Sequence, residues 1–447
     1  MSTLFIPPHP PRGMGPVPVW RGFFGERARN AVYGWSDAAF RQKHMFRKVM
    51  RFRVHMPLDP ANIQHVLLDN ASNYIKPDIV HTLLDSIIGR GVLSSDGELW
   101  RDQRKIVAAS FTPPAVDALI PIFLEVAGRS MAEWREGSFR DMGAESTAAT
   151  MSVISEALFG GDARLTSQTS MDNITAALEG FSEARVQALL GLPIIPLSPR
   201  GLKAHRGQAF LRRTLETVVR ERLSDGAEDF LGQVVRALHE RFPPDQALRL
   251  SVDNAATFYL AGHETTANAV TWTLFLLSEQ PELQERVSEE ARRAVGGDSS
   301  RLAERLPLLR AVLQESMRLY PPVPRFDRQA VAADRLGEWD VLPGDIVSIW
   351  PWLLHRNTWL WEEPDAFRPE RFADDAPKPH RFQYLPFGGG PRVCVGARFA
   401  TAEALAILSQ WVAAWSFEPA PGRVVRPSGM VTLRPAGGLP LKLTRRH

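Results

Sequence analysis

The 447-residue sequence predicts a mainly α-helical fold with a small β portion, and three observations carry that prediction. Apolar residues recur at helical spacing in segment after segment up to Tyr320, a pattern that buries one face of each helix. From LYPPVP, Leu319 to Pro324, prolines end the helix and short β-like runs such as DIVSIW, Asp345 to Trp350, alternate with turns. A last long apolar segment, ATAEALAILSQWVAAWSF, follows Cys394, the only cysteine.

In chain order, the prolines of residues 1–20 favour an extended strap. RVHMPLDPANIQHVLLDN, from Arg53, reads as a short strand leading into a helix, and helical patterns follow in AVDALIPIFLEVAGRSMAEWR and LLRAVLQESMRLY. ATFYLAGHETTANAVTWTLFLL, Ala256 to Leu277, reads as a long buried helix, and MVTLRPAGGLPLKL near the end as a closing hairpin. No repeat period and no flexible linker stand out, so a single domain over residues 1–447 is expected. ALLGLPIIPLSP, Ala188 to Pro199, is too short and proline-rich to span a membrane. It packs on the core, lids an apolar pocket or touches a membrane surface.

Composition excludes several classes. Hydrophobic residues at 44% and charged residues at 23% describe a folded chain with ample core material rather than a disordered one. One cysteine forms neither an internal disulfide nor a multi-cysteine zinc site, which suits a reducing compartment. The N-terminus has neither a signal-peptide apolar region nor a membrane span. A soluble, cytoplasmic protein without a transmembrane anchor is expected. The formal charge of +3 comes from cations scattered among acids, a poor basis for binding nucleic acid.

The cysteine sits in FGGGPRVCVG, Phe387 to Gly396. Three glycines permit backbone angles and close approaches that a Cβ forbids, and Pro391 stiffens the path into Cys394. A helix beginning near Cys394 offers amide hydrogens and partial positive charge, both favouring a thiolate, the metal-binding form. Arg392, two residues earlier, supplies a fixed cation on the same side of an extended segment. Phe387, Gly390, Arg392, Cys394 and Gly396 together form F-x-x-G-x-R-x-C-x-G, which resembles the haem-binding signature of the cytochrome P450 family. A chance match of five fixed residues is rarer than roughly 1 in 10⁴ at ordinary residue frequencies. The resemblance implies the cytochrome P450 fold, with haem b held by the Cys394 thiolate as a buried axial iron ligand that favours O–O cleavage.

Distant segments agree with it. Ala261-Gly262-His263-Glu264-Thr265-Thr266 places a mid-helix glycine and an acid in an apolar helix, each costly without compensation. The segment resembles the family's A-G-x-E-T-T stretch over the distal haem face, which implies Thr265 as proton relay and Glu264 as its acidic neighbour. Glu315 and Arg318 in QESMR share a helix face, and PDAFRPERF follows; these are similar to the family's E-x-x-R helix and P-E-R-F segment, so Arg371 is expected to join both in a buried charge network. Trp100 and Arg104 share a helix face and resemble the propionate-binding W-x-x-x-R, with Arg328 and Arg392 as further propionate arginines and Lys76 as a weak addition. LHRNTWLWEEP, with His355 and Arg356, also follows the family pattern.

The resemblance implies a monooxygenase that uses O2 and two electrons, drawn from NAD(P)H through a separate ferredoxin and its reductase or a flavodoxin, because no flavin or iron–sulfur segment follows the final hairpin. Arg101, Lys105, Arg392 and Arg398 are the cations expected to attract an acidic partner. Alternatives are an isomerase or dehydratase needing no external electrons, and a haem sensor or carrier. Val323, Arg325, Val431, Ala261 and the segment Ile79 to Ser94 align with substrate-pocket positions and are largely apolar, which suits a terpenoid, polycyclic or acyl substrate. Arg325 either anchors a substrate carboxylate or pairs with an acid, the second being favoured by the cost of an unpaired buried charge. A monomer is expected.

Overall fold

The computed structural model describes residues 4–14, 30–49, 52–167, 195–295, 301–429 and 431–446, with isolated positions between them. Two compact units emerge. The first comprises Met1–Ile75, Leu124–Ala149 and Thr265–His447, the second Lys76–Phe123 and Thr150–Glu264.

The strands are β1 (His44–Val49), β2 (Phe52–Pro57), β3 (Tyr74–Ile75), β4 (Phe139–Asp141), β5 (Phe326–Ala330) and β6 (Asp334–Leu336). They continue as β7 (Trp339–Val341), β8 (Ile346–Ile349), β9 (Trp415–Pro419), β10 (Pro427–Ser428), β11 (Arg434–Pro435) and β12 (Pro440–Arg445). The longer helices are α1 (Asp78–Ile88), α2 (Gly97–Ala109), α3 (Ile120–Ser130), α4 (Met142–Phe159) and α5 (Pro199–Ser224). After them come α6 (Phe230–Arg241), α7 (Pro244–Ser278), α8 (Pro281–Val295), α9 (Pro307–Leu319) and α10 (Ala397–Ala414).

Among the described residues, the first unit holds all the sheets. β1-β2-β8-β5-β3 form the largest, with β2 and β8 parallel and the remaining pairs antiparallel. Helix α10 is buried at every position from Ala402 to Ser409, and Leu405, Ile407, Leu408 and Trp411 are fully buried, the pattern of a core helix rather than a surface one. Trp411 packs against Trp134 at 5.0 Å and donates its indole hydrogen to Ser130 Oγ, 2.9 Å away. Trp272 stacks on Tyr320 at 3.8 Å and donates to the Leu433 carbonyl. Both of these buried indoles thus find the polar partner they need.

The N-terminal strap has no regular secondary structure over residues 4–12 and is fastened along its length, at Arg12 to Asp365 and at Gly13 to Trp35 among other points. Phe367 N–H donates to the Phe5 carbonyl at 2.9 Å, and Tyr320 Oη donates to the Pro8 carbonyl at 2.7 Å. The expected closing hairpin does not form. β11 pairs with β10, while β12 joins β9 and β4 in a separate sheet. Pro435 and Pro440 lack the N–H groups a direct hairpin needs, and pairing Leu443 with Phe417 buries both side chains.

The second unit is helical. Its long helix α7 starts here and runs without interruption through Gly262 into the first unit. The glycine is explained by packing, since a Cβ there would lie 2.7 Å from Ile154 Cδ1 of α4. Of ALLGLPIIPLSP, residues 188–194 lie outside the described residues, and Ile195 and Leu197 are exposed rather than packed on the core. Among the described residues no single helix is long and apolar enough to cross a membrane.

Candidate active site

In the first unit, the cysteine loop is shaped by its glycines. Gly390 has φ +67°, and a Cβ on it would lie 1.7 Å from the Leu67 carbonyl oxygen, so the loop can press on the turn His65–Asp69 only as glycine. Cys394 N–H donates to the Phe387 carbonyl at 2.9 Å, and Val393 N–H to the Gly390 carbonyl at 3.1 Å. Phe387 is half-buried and Gly396 immediately precedes α10.

Helix α10 begins at Ala397, three residues beyond the cysteine, and the Cys394 amide donates to the Phe387 carbonyl. The Cys394 side chain is exposed on this loop. An exposed thiol on a glycine-set loop, two residues from the half-buried Arg392, fits a thiolate ligand to a flat anionic cofactor. Arg328, on β5, is half-buried, donates to the Asp327 carbonyl at 2.9 Å and lies 5.4 Å from the Phe326 ring centre.

Glu315, Arg318 and Arg371 meet in one charge network. Arg318 donates through Nε and Nη2 to the two Glu315 carboxylate oxygens at 2.6 and 2.7 Å. Its other hydrogens reach the carbonyls of His355, Pro364 and Ala366, so all five guanidinium donors are used. Arg371 Nε lies 3.4 Å from Glu315 Oε1, and Arg368 N–H donates to the same oxygen at 2.8 Å. Both Glu315 and Arg318 are fully buried. Next to them, burial and then the charges of Arg318 and Arg356 push the His355 pKa down to about 3. The neutral ring accepts the Leu385 N–H at Nε2 and so anchors the start of the cysteine loop.

Arg325 pairs with an acid. Its Nη2 donates to Asp327 Oδ2 at 2.6 Å and its guanidinium lies 5.1 Å from the Trp350 ring centre. Burial alone would raise the Asp327 pKa, yet the charge and hydrogen bonds of Arg325 hold it below the usual carboxylate value. Val323 is half-buried and Val431 exposed.

Helix α7 carries the other candidates. From Leu250 to Ser278 every residue is buried except Ala261, Gly262, Glu264 and Thr265. Positions 261, 264 and 265 stand at i, i+3 and i+4, so one short stripe of an otherwise enclosed helix is open. His263, on the opposite side, is buried and kept neutral by its burial, with Nδ1 2.7 Å from the Tyr259 carbonyl.

In the second unit, Trp100 and Arg104 lie one turn apart on α2, both half-buried. Between them sits Gln103, which sequence reasoning missed. It is fully buried, accepts from Asn254 Nδ2 at 2.7 Å, and donates to the Arg90 carbonyl and Ser95 Oγ, both at 3.1 Å. Lys76 Nζ lies 3.9 Å from Asp96.

A second missed residue is Glu403, in the first unit on α10. It is fully buried, and neither carboxyl oxygen has a hydrogen-bond partner among the described residues. Burial raises its pKa well above the usual carboxylate value. The nearby Thr266 hydroxyl offsets this only in part, because its approach falls short of a full hydrogen bond.

The cytochrome P450 family model matches residues 22–439. Protein LUTEIN DEFICIENT 5, chloroplastic, from Arabidopsis thaliana is 30% identical over 87% of this chain and 69% of its own length. Carotene epsilon-monooxygenase, chloroplastic, from the same plant is 28% identical over 87% and 77%. The crystal structure of CYP175A1 from Thermus thermophillus superposes with a TM-score of 0.72 at 29% identity, covering 90% of this chain and 92% of that one. With its motifs and fold in agreement, the chain belongs to the cytochrome P450 family and is a monooxygenase of the haem-iron type.

Proposed function

We propose that the protein inserts one atom of O2 into an apolar organic substrate of polyene, terpenoid or polycyclic type and releases the other as water. Two protons and two electrons balance the reaction. The electrons come from NAD(P)H through a separate ferredoxin and its reductase, or a flavodoxin. Exposed Arg101 and Lys105 in one unit and Arg398 in the other are cations suited to an acidic partner. The family match spans both units, which supports their serving as one haem domain.

The observation that carries this reading is the one open stripe of α7 between Leu250 and Ser278. Burying the span from Leu250 to Ser278 except Gly262 and the stripe Ala261, Glu264 and Thr265 reserves one small residue for substrate contact, one acid and one hydroxyl for proton transfer. Haem, when bound, supplies the activation of oxygen. Cys394 holds its iron as a thiolate, while Trp100, Arg104, Arg328 and Arg392 bind its propionates. Thr265 passes a proton from its hydroxyl and Glu264 replenishes it through water. Val323, Val431 and Ile79 to Ser94 border the substrate. The name of the carotene monooxygenase relative supports a long apolar polyene as the first substrate to try. Arg325, engaged with Asp327, is assigned to position β5 rather than to bind a carboxylate.

The test is reduction under carbon monoxide, followed by NAD(P)H consumption with surrogate ferredoxin partners and β-carotene. A thiolate-type spectrum and an oxygenated product are expected. Cys394→Ser should abolish both, and Thr265→Ala should keep the spectrum while diverting reducing equivalents to peroxide or water. A normal spectrum with no oxygenated product from any apolar substrate would overturn the monooxygenase assignment in favour of an isomerase or carrier.

A further inference from the structure

Within the second unit, the loop between α1 and α2 is fastened to α7 by two consecutive side chains. Asp253 Oδ2 accepts the Arg90 N–H at 2.8 Å, and Asn254 Oδ1 accepts the Val92 N–H at 2.9 Å. The approach is as close as backbone permits. Gly89 has φ +67°, and a Cβ there would lie 2.1 Å from Asp253 Oδ1; one on Gly91 would meet Thr257 Oγ1 at 2.6 Å. Glycine is therefore required at both positions by what α7 presents to them.

The two fasteners differ. Asn254 is fully enclosed and ties onward to the buried Gln103. Asp253 instead reaches outward, accepting from Arg212 Nη2 of α5 at 2.8 Å, and that arginine side chain is 40% exposed. One carboxylate thus joins three elements: α7, which bears it, the loop after α1, and α5. Its outer bond is accessible to water and can break without exposing the core, while the inner bonds hold.

We propose that Asp253 is a positioning residue whose ion pair with Arg212 couples α5 to the Gly89–Ser95 loop and so sets the rate at which ligands enter and leave. This rests on the reading above that Ile79 to Ser94 borders the substrate. Pair formation holds the segment in place; pair rupture frees α5 and the loop to separate. Loosening a segment that borders the substrate speeds entry and exit together, so affinity stays nearly constant.

The experiment uses the full haem-loaded chain and 4-phenylimidazole, whose nitrogen ligates haem iron and shifts its absorption band. Association and dissociation rates are read by stopped flow, and amide hydrogen exchange is followed over residues 89–95. Arg212→Leu removes the cation, and Asp253→Asn keeps an acceptor for the Arg90 N–H while removing the charge. Each variant is expected to raise both rates about 3- to 5-fold, the scale of a half-exposed ion pair, with Kd within about 2-fold and faster exchange at Arg90 and Val92. The double variant should add nothing further, Arg212→Lys should restore most of the effect, and high salt should bring the parent chain toward the variants. Unchanged exchange would overturn the coupling while leaving the pocket assignment intact. Faster exchange with unchanged ligand rates would overturn the assignment of Ile79 to Ser94 as pocket border, and the proposal with it.

Discussion

Two glutamates are fully enclosed in the same unit, and they are built in opposite ways. Glu315 is met by Arg318 through two short bonds, by Arg371 at 3.4 Å and by the Arg368 amide. Glu403 meets only the Thr266 hydroxyl, and that incompletely. A buried carboxylate is tolerable when paired, and a buried carboxyl without a cation is tolerable only when it keeps its proton. The first is thus a charged girder holding the segment from Pro364 to Arg371, and the second a neutral acid within the core. The same residue type, equally buried, serves as an ion in one place and as an uncharged acid in the other.

Removing the first glutamate gives the largest expected effect. In Glu315→Ala, Arg318 keeps its three carbonyl acceptors but loses its counter-charge, and Arg371 loses its own. Breaking such a buried network by deleting one partner costs about 3–5 kcal/mol. Urea unfolding of the variant should show that loss, with little haem-loaded protein recovered on expression. A loss below about 1 kcal/mol would mean that the arginine–carbonyl bonds alone hold the segment, and the contrast between the two glutamates would disappear.

The next effect is a pH dependence on the network side. The His355 pKa, pushed down to about 3 by burial and by Arg318 and Arg356, lies below its unfolded value of about 6.5. The folded state therefore excludes a proton that the unfolded state binds. Stability is unaffected above pH 6.5 and falls by about 1.4 kcal/mol per pH unit as pH drops toward 3, roughly 2 kcal/mol at pH 5. His355→Gln keeps an acceptor for the Leu385 N–H without the titrating ring. Its stability difference from the parent should narrow by that amount between pH 7 and pH 5, and a constant difference would show that His355 is protonated in the fold. His44, pushed down to about 4 by burial and by His55, lends the parent a further acid-sensitive slope that cancels in the comparison.

The network was legible in the sequence and the lone acid was not, for a physical reason. E-x-x-R, P-E-R-F and the cysteine loop are short spacings whose partners lie in recognisable segments, so resemblance carried them across the chain. Glu403 was visible only as an acid within A-T-A-E-A-L-A-I-L, the same anomaly that singled out Glu264 in α7, and no spacing indicated whether a cation faced it. Gly390 was readable as a special backbone position, but its contact with the Leu67 carbonyl is set by tertiary packing. The partner of Arg325 stood two residues away, where strand alternation puts side chains on one face, so that pairing was within reach of the sequence. The end of the chain was misread because Gly437-Gly438 signals a turn without specifying which strand receives β12, a choice made by the burial of Leu441 and Leu443.

The smallest expected stability change, and the sharpest test of the contrast, belongs to Glu403→Gln. If the carboxyl is neutral, the amide reproduces its shape and a hydrogen donor, and near pH 5 the substitution should cost less than about 1 kcal/mol. The pH dependence runs opposite to that of His355. A carboxyl whose folded pKa is raised contributes stability that is fully present below its unfolded value near 4.3 and is lost as pH rises toward the folded value. The glutamine variant escapes that loss, so it should gain on the parent chain as pH climbs from about 4.3 through neutrality. Infrared difference spectra of parent against variant at pH 7 should show the carbonyl stretch of a protonated acid, absent from the variant. A carboxylate band instead, together with a loss on substitution comparable to that of Glu315→Ala, would mean that a cation reaches Glu403 and that both glutamates are girders.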